Sequence, residues 1–325
     1  MNPSTPPPGS RLARAVVPVV IVTLIVALVV TACGESGAGS GASASPGNPD
    51  AVKVVTTTTI FADMVREIGG DRVSVESLVP KGGEVHTFDP TPSDVRRVTE
   101  AQLVLLNGLG LDEWLADLVA DAGTSAPVVR IAEDLDGVTL LEGEAHEGEE
   151  AEEVNPHVWM NVAYASLYAQ RIADELARVD PAGAQAYEDG LAAYQAELAE
   201  LDEYARTQLG SVPEANRTVV SFHDAFPYFA AAYGLTIDGT VVDAPGQDPS
   251  AGEVADLVNA IRANNVRAIF AEAQFSEDLV RTIADETGAT VVGDLYTDSV
   301  GDAPQDSFVS MMRWNIDQVV AALKG

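Results

Sequence analysis

The sequence alternates strand-like and helix-like segments in two sets, and this alternation limits the possible fold more than any other feature. In the first half, the β-branched runs Lys53–Thr58 and Val73–Val79 enclose Ile60–Ile68, whose apolar residues have helical spacing. In the second half, the apolar run Thr218–Phe222 is followed by the helix-like segment Pro227–Tyr233 and by further strand-like residues. A repeated β-α-β order predicts parallel sheets covered by helices, which is an α/β fold.

One segment between the two sets is unusually long and helical. Ala182–Leu209 follows Pro181, is rich in Ala, Glu, Leu and Gln, and would span about 40 Å as a helix. We therefore predict two α/β lobes, residues 51–180 and 211–325, each with a mainly parallel sheet flanked by helices. A single long interlobe helix over residues 181–210 is expected to join them. Because open α/β sheets bind ligands beyond the carboxyl ends of their strands, a binding site is expected there.

The amino-terminal residues have the features of an export signal. Residues 1–14 contain two arginines and no acidic residue, and residues 15–32 are almost entirely apolar. Small residues directly precede Cys33, the only cysteine, as in the cleavage and lipidation box of bacterial lipoproteins. We predict a lipoprotein signal peptide over residues 1–33 that ends at a lipidated Cys33. An ordinary buried thiol and an uncleaved anchor helix are the alternatives.

The segment after Cys33 predicts a tether. Residues 34–50 are rich in Gly, Ser and Ala, and a flexible linker of this kind reaches roughly 20–25 Å. Two or three acyl chains on Cys33 would give stable anchoring, whereas one chain would be marginal. We therefore expect an extracytoplasmic protein that is attached to the cell membrane through lipid. A single cysteine also excludes an intrachain disulfide.

The chain is strongly acidic. It has 18 Lys and Arg against 50 Asp and Glu, a formal net charge of −32. Such a surface repels nucleic-acid phosphates and anionic lipid, so neither is an expected partner, and it attracts cations weakly. An acidic bias of the whole proteome would produce the same composition.

Histidine is rare in this chain and is placed at breaks between predicted elements. His86, His157 and His223 lie in loop-like contexts far apart in the sequence. Each alone is compatible with a surface or packing histidine, and Asp298 alone with a turn or helix-cap residue. Imidazole is the commonest protein ligand for metals such as Zn²⁺. Taken together, these residues predict one metal site, with His86, His157, His223 and Asp298 as ligands, where the two lobes meet.

Several short motifs around these residues resemble those of a known family. They are Gly82-Gly83-Glu84-Val85-His86-Thr87-Phe88-Asp89-Pro90-Thr91-Pro92-Ser93-Asp94, Asn107-Gly108-Leu109-Gly110-Leu111-Asp112-Glu113-Trp114, Asn155-Pro156-His157-Val158-Trp159, His223-Asp224-Ala225-Phe226, Ala271-Glu272-Ala273-Gln274-Phe275-Ser276 and Tyr296-Thr297-Asp298-Ser299. From Val54 to the C-terminus, the chain resembles the cluster A-I solute-binding proteins of ABC transporters, the zinc and manganese receptor family.

The resemblance implies a metal ion between two lobes bridged by a rigid helix. His86 and His157 match the ligands of the first lobe, His223 matches the third ligand and Asp298 the fourth. Members with histidine at the third position are mostly zinc receptors, whereas manganese receptors often have glutamate there. The chemistry agrees, because nitrogen-rich tetrahedral sites suit Zn²⁺ and Mn²⁺ binds nitrogen most weakly. We expect Zn²⁺, with a manganese or iron receptor as the alternative.

Three further residues are candidates for supporting roles. Asp224 and Glu272 could hold the outer nitrogens of the ligand imidazoles, although either could equally be a surface or capping residue. His146 lies among seven glutamates in residues 142–153, which predict an acidic loop. Zinc members of the family often have a His-rich loop here, so weak metal capture by His146 is one hypothesis. A merely solvated loop is the other.

The expected function is metal capture and delivery to an ABC permease by a monomer. The chain has no Walker A motif, so ATP would be hydrolysed elsewhere. It also lacks the HExxH and Gly-x-Ser-x-Gly motifs, and four protein ligands would close the metal site. We therefore do not expect an enzyme. A metal-stabilised surface adhesin lipoprotein remains the alternative from another functional class.

Overall fold

The structure, a computed structural model, describes residue 48 and residues 50–143, 154–242, 246, 249–275 and 278–325. Its elements follow the alternation that the sequence predicts. Among the described residues, no helix combines the length and the apolar character that a membrane span requires.

The first lobe is a four-stranded parallel sheet within the described residues. Its strands are β1 (Val52–Thr56), β2 (Val73–Ser77), β3 (Leu103–Leu106) and β4 (Val128–Arg130), in the order β2-β1-β3-β4. Its helices are α1 (Thr59–Gly69), α2 (Pro92–Glu100), α3 (Glu113–Ala122) and α4 (Val162–Val179). The central strand β3 has four consecutive buried residues, as expected for a parallel strand covered on both faces.

The start of α2 shows how the sequence fixes these boundaries. Pro92 is the first helical residue, where its missing N–H has no helical partner to lose. The backbone N–H of the N-cap residue Thr91 donates to the Asp94 carboxylate at 2.7 Å, so the Asp94 side chain caps the start of the helix. The loop before α2 thus ends at a defined position, and this loop contains His86.

The second lobe repeats the strand order of the first. After helix α5 (Ala184–Gly210), its strands are β5 (Thr218–Ser221), β6 (Thr236–Thr240), β7 (Ala268–Glu272) and β8 (Thr290–Leu295), in the order β6-β5-β7-β8. All described strand pairs in this sheet are parallel. Its helices are α6 (Pro227–Tyr233), α7 (Ala251–Asn264), α8 (Asp278–Thr287) and α9 (Phe308–Lys324). The predicted α/β class with two parallel sheets is confirmed.

Helix α5 is the predicted long interlobe helix, and its 27 residues contact both lobes. It packs on α1 and α4 of the first lobe and on α6 and α9 of the second. Its buried residues are Tyr187, Leu191, Tyr194, Leu198, Leu201, Ala205 and Leu209. Spacings of three and four place them on one face, and each large apolar side chain buried there contributes about 1.5–3 kcal/mol. The helix is therefore fixed along its length.

Candidate metal centre

Four side chains from both lobes converge at one point. One donor atom each from His86, His157, His223 and Asp298 lies within 4.8 Å of all the others. The Nε2 atoms of His157 and His223 are 3.3 Å apart. Asp298 Oδ1 lies 3.6 Å from His157 Nε2, and Asp298 Oδ2 lies 3.6 Å from His223 Nε2. His157, His223 and Asp298 are only 1–2% exposed, and His86 is half-buried. The structure thus brings together all four residues that the sequence singles out.

The fold accounts for this convergence. His223 follows β5 by two residues, and Asp298 follows β8 by three. His86 lies in the loop between β2 and α2, and His157 lies just before α4, in the stretch after β4. All four therefore lie beyond the carboxyl ends of parallel strands, the edge where open α/β sheets bind ligands.

His223 is held from behind by a buried carboxylate. Its Nδ1 lies 2.8 Å from Glu272, and Thr297 Oγ1 donates to the same carboxylate at 2.6 Å. Burial lowers the pKa of the His223 imidazole, but the surrounding carboxylates, chiefly Glu272, outweigh burial and raise it to about 9. In the metal-free chain, His223 is therefore the imidazole that carries a second ring proton and a positive charge. Glu272 thus lies next to the outer nitrogen of a candidate imidazole, the position that the sequence suggested for it.

The other two imidazoles are neutral. Burial lowers the pKa of His86 to about 3 and that of His157 well below its ordinary value. Burial also raises the pKa of Asp298 to about 7, although the charge of His223 acts in the opposite direction. Neutral imidazole is the form that binds a metal ion, so His86 and His157 need lose no proton to do so.

Some buried polar atoms around the centre lack a partner among the described residues. They include His86 Nε2, Asp298 Oδ1 and Glu84 Oε2. An unsatisfied buried polar atom costs about 1–3 kcal/mol. A cation at the centre would satisfy the first two, because imidazole nitrogen and carboxylate oxygen are both metal ligands. The donor set of three nitrogens and one oxygen is chemically complete for a four-coordinate ion.

Hydrogen bonds between the lobes surround the centre. Trp159, two residues after His157, donates its Nε1–H to the carbonyl of Thr297 at 2.9 Å. The backbone N–H of Gly82 donates to Ser299 Oγ at 2.9 Å, and Thr59 Oγ1 lies 3.0 Å from the same oxygen. The bond of Trp159 holds the loop of Asp298 against the segment of His157, and the bond of Gly82 holds it against the loop of His86, which keeps the donor atoms close.

The structure also identifies two residues to which the sequence assigned no role. Asn155 Oδ1 lies 3.1 Å from His157 Nδ1, and Glu84 Oε1 accepts from the backbone N–H of His86 at 2.9 Å. Each precedes a candidate histidine by two residues, but no local pattern separates them from turn residues. Asp224 contacts Asn155 with its carboxylate and carbonyl oxygens. Cys33 and His146 lie outside the described residues.

Most of the chain is similar in sequence to a known protein family. Residues 54–322 match the family described as zinc-uptake complex component A, periplasmic (ZnuA). The chain belongs to this family. The expected membership of the cluster A-I receptors is therefore confirmed, and the family is one of binding components rather than enzymes.

Individual ZnuA-family relatives cover nearly the whole chain. The manganese-binding lipoprotein MntA of Halalkalibacterium halodurans is 31% identical over 304 residues, 93% of this chain and 97% of MntA. The metal ABC transporter substrate-binding lipoprotein FimA of Streptococcus parasanguinis is 33% identical over 313 residues, 93% of this chain and 97% of FimA. The solved structure of the periplasmic zinc-binding protein TroA from Treponema pallidum matches with a TM-score of 0.76 at 30% identity. It covers 85% of this chain and 100% of TroA.

Proposed function

We propose that this chain is the extracytoplasmic receptor of an ABC transporter that captures Zn²⁺ between its two lobes and delivers it to the permease. The observation that supports this proposal is the convergence of four donor atoms, from residues 86, 157, 223 and 298, within 4.8 Å. Capture replaces the waters of the ion with His86, His157, His223 and Asp298. The neutral imidazoles and one carboxylate leave a net charge of about +1 around a bound Zn²⁺.

The choice of zinc rests on the donor set. Three nitrogen ligands and one oxygen suit a tetrahedral Zn²⁺ ion, and Mn²⁺ ranks lowest among divalent first-row metals for nitrogen ligands. The names of the relatives do not decide the matter, since MntA is named for manganese and TroA for zinc. His223 is the residue on which the preference depends, because a glutamate there would replace a nitrogen ligand with oxygen.

Zinc capture by this arrangement releases a proton. In the metal-free chain His223 is protonated up to a pKa of about 9, and its Nε2 must lose that proton to bind the ion. Helix α5, fixed to both lobes, opposes a large hinge motion, so capture and release involve a small tilt or the ordering of loops.

The cellular context is part of the same proposal. MntA and FimA are named lipoproteins, and FimA is named a component of an ABC transporter. We propose a signal peptide over residues 1–33, lipid attachment at Cys33 and a tether over 34–50. The folded part comprises the lobes 51–180 and 211–325 joined by 181–210, and acts as a monomer. Labelling with a radioactive fatty acid tests the anchor: Cys33→Ala should abolish labelling, and equal labelling of both proteins would contradict it.

A competition titration with Zn²⁺, Mn²⁺ and Fe²⁺ tests the choice of metal. We expect Zn²⁺ to bind at least about 100-fold more tightly than Mn²⁺, because Mn²⁺ has the lowest affinity for nitrogen ligands among the divalent first-row metals. The matched variant His223→Glu should narrow this ratio, because it exchanges one nitrogen ligand for oxygen. Tighter binding of Mn²⁺ by the wild-type protein, or an unchanged ratio in the variant, would contradict the zinc proposal.

A further inference from the structure

We propose that Asn155 is a positioning residue that sets the tautomer and orientation of His157, from a position fixed by the second lobe. This inference rests on the proposed function, because it takes His157 as a ligand of the metal ion. It adds a requirement that the donor set alone does not contain, namely contact between the lobes at Asn155.

The partners of Asn155 fix the orientation of its side-chain amide. The backbone N–H of His157 donates to one end of the amide at 3.0 Å. The carbonyl oxygen and a carboxylate oxygen of Asp224 both lie 2.7 Å from the other end. A donor at one end and acceptors at the other permit a single assignment, with Oδ1 facing His157 and Nδ2 facing Asp224.

This orientation determines which nitrogen of His157 is protonated. Oδ1 can only accept, and it lies 3.1 Å from His157 Nδ1, so Nδ1 must hold the ring proton; the backbone carbonyl of Asp224 is a second acceptor for this ring. A neutral imidazole has one N–H, which leaves the Nε2 lone pair free. That Nε2 lies 3.3 Å from His223 Nε2 and 3.6 Å from Asp298, at the centre of the donor set.

Asn155 is itself held in place, in part by the second lobe. It is buried, and its backbone N–H donates to the carbonyl of Leu141 at 2.9 Å. Its carbonyl accepts from the hydroxyl of Tyr228, on α6, at 2.9 Å. Asp224 and Tyr228 both belong to the second lobe, whereas His157 belongs to the first. Separating the lobes here would free the amide, and the orientation of His157 would no longer be fixed.

An uncharged amide suits this position better than a carboxylate. Glu272 also orients a ligand imidazole, but it does so with a carboxylate, 2.8 Å from His223 Nδ1. Asn155 provides an acceptor for His157 without adding negative charge. An aspartate at 155 would also turn one of its oxygens towards the Asp224 carboxylate, and two facing carboxylates repel each other.

Two measurements test the proposal. Long-range ¹H–¹⁵N NMR reads the histidine tautomers in the metal-free protein, and competition titration gives the Zn²⁺ affinity. In the wild-type protein we expect His157 as the Nδ1–H tautomer. In Asn155→Ala we expect a mixture of tautomers and an affinity about 10–100-fold lower. The double variant Asn155→Asp/Asp224→Asn keeps an acceptor for His157 and an amide donor between the two positions, so at a pH where the ring is neutral it should restore the Nδ1–H tautomer and most of the affinity.

Asn161→Ala is the matched control, because Asn161 accepts from the backbone N–H of Ala163 at the start of α4 and contacts no ligand imidazole in any described hydrogen bond. It should weaken the fold without altering the tautomer or the affinity. An Nε2–H tautomer in the wild-type protein, or an unchanged tautomer and affinity in Asn155→Ala, would overturn the inference. If Asn155→Ala does not fold, the tautomer of His157 in the wild-type protein and in the double variant decides whether the inference holds. If the wild-type protein binds no zinc, the proposed function fails, while the tautomer still decides the role of Asn155.

Discussion

The two lobes share one strand order but surround their parts of the metal centre differently. In the first lobe, burial keeps His86 and His157 neutral, with the pKa of each lowered. In the second lobe, His223 lies between the carboxylates of Glu272 and Asp298, and its pKa is raised to about 9. With the same topology, the first lobe thus provides two neutral nitrogen atoms. The second lobe provides the negative charge and the proton that a metal ion would displace.

This difference indicates how a buried site can bind a divalent ion and remain stable without it. Uncompensated buried charge is costly, so the carboxylates of the second lobe need a positive partner. In the metal-free chain the proton on His223 serves as that partner, and the ion takes over the role on binding. The following predictions each test one side of this comparison.

The largest effect is expected from Asp298→Ala, which removes the only carboxylate among the four donor residues. Losing one partner of a buried charge pair costs about 3–5 kcal/mol, so Zn²⁺ affinity should fall by about two to four orders of magnitude. Competition titration measures this. Asp302→Ala is the control, since Asp302 pairs with Lys81 on the surface and its side chain is 95% exposed. Equal losses in the two variants would contradict a special role for Asp298.

The next effect is the pH dependence, which should come from the second lobe. Zn²⁺ displaces the proton of His223 and, below about pH 7, that of Asp298 as well, so the apparent affinity should rise more than tenfold per pH unit below about pH 7 and about tenfold per unit between about pH 7 and 9. It should level off above the pKa of about 9. Glu272→Gln removes the main carboxylate that raises this pKa, so its slope should be shallower. A flat profile for the wild-type protein would exclude proton exchange at His223.

The neutral histidines of the first lobe should produce a smaller loss. His86→Ala and His157→Ala each remove one nitrogen ligand but no charge, so we expect each to lower Zn²⁺ affinity by at least about tenfold. Competition titration at one pH compares them, with Asp302→Ala again as the control. An affinity of His157→Ala equal to that of the wild-type protein would contradict the assignment.

The smallest effect on metal binding is expected from a bond that joins the two sides. Trp159→Phe removes the hydrogen bond to the Thr297 carbonyl and leaves that buried oxygen unsatisfied. The free energy of unfolding should fall by about 1–3 kcal/mol, as measured by denaturant unfolding of the metal-free protein. Zinc affinity should change less than in His157→Ala. A larger loss of affinity than of stability would mean that this bond positions the ligands directly.

Much of the fold could be predicted because its signals are local. Helix α5 begins two residues later and ends one residue later than the segment Ala182–Leu209, since a long amphipathic run fixes its own limits. The sequence predicts the ends of strands less well, because β2 ends at Ser77 and not at Val79. Hydrogen bonding to a neighbouring strand ends a strand, and apolar composition does not reveal where that pairing stops.

The candidate donor residues could be singled out from the sequence, and they converge in the structure, but their surroundings could not be predicted. His86, His157 and His223 stand out because histidine is rare and lies at breaks between elements. The role of Asn155 depends on Asp224 and Tyr228, which are about seventy positions away, and no local pattern encodes that contact. The raised pKa of His223 likewise requires Glu272 to meet it in space, which only the folded sheet provides.

The most direct test is an anomalous difference map at the zinc and manganese absorption edges, from crystals of protein purified without added metal. We predict one zinc peak about 2.0–2.2 Å from a nitrogen of each of His86, His157 and His223 and from an Asp298 oxygen. A peak at the manganese edge alone would contradict zinc as the cargo. A metal peak bound by other residues, with these four side chains apart, would contradict the site itself.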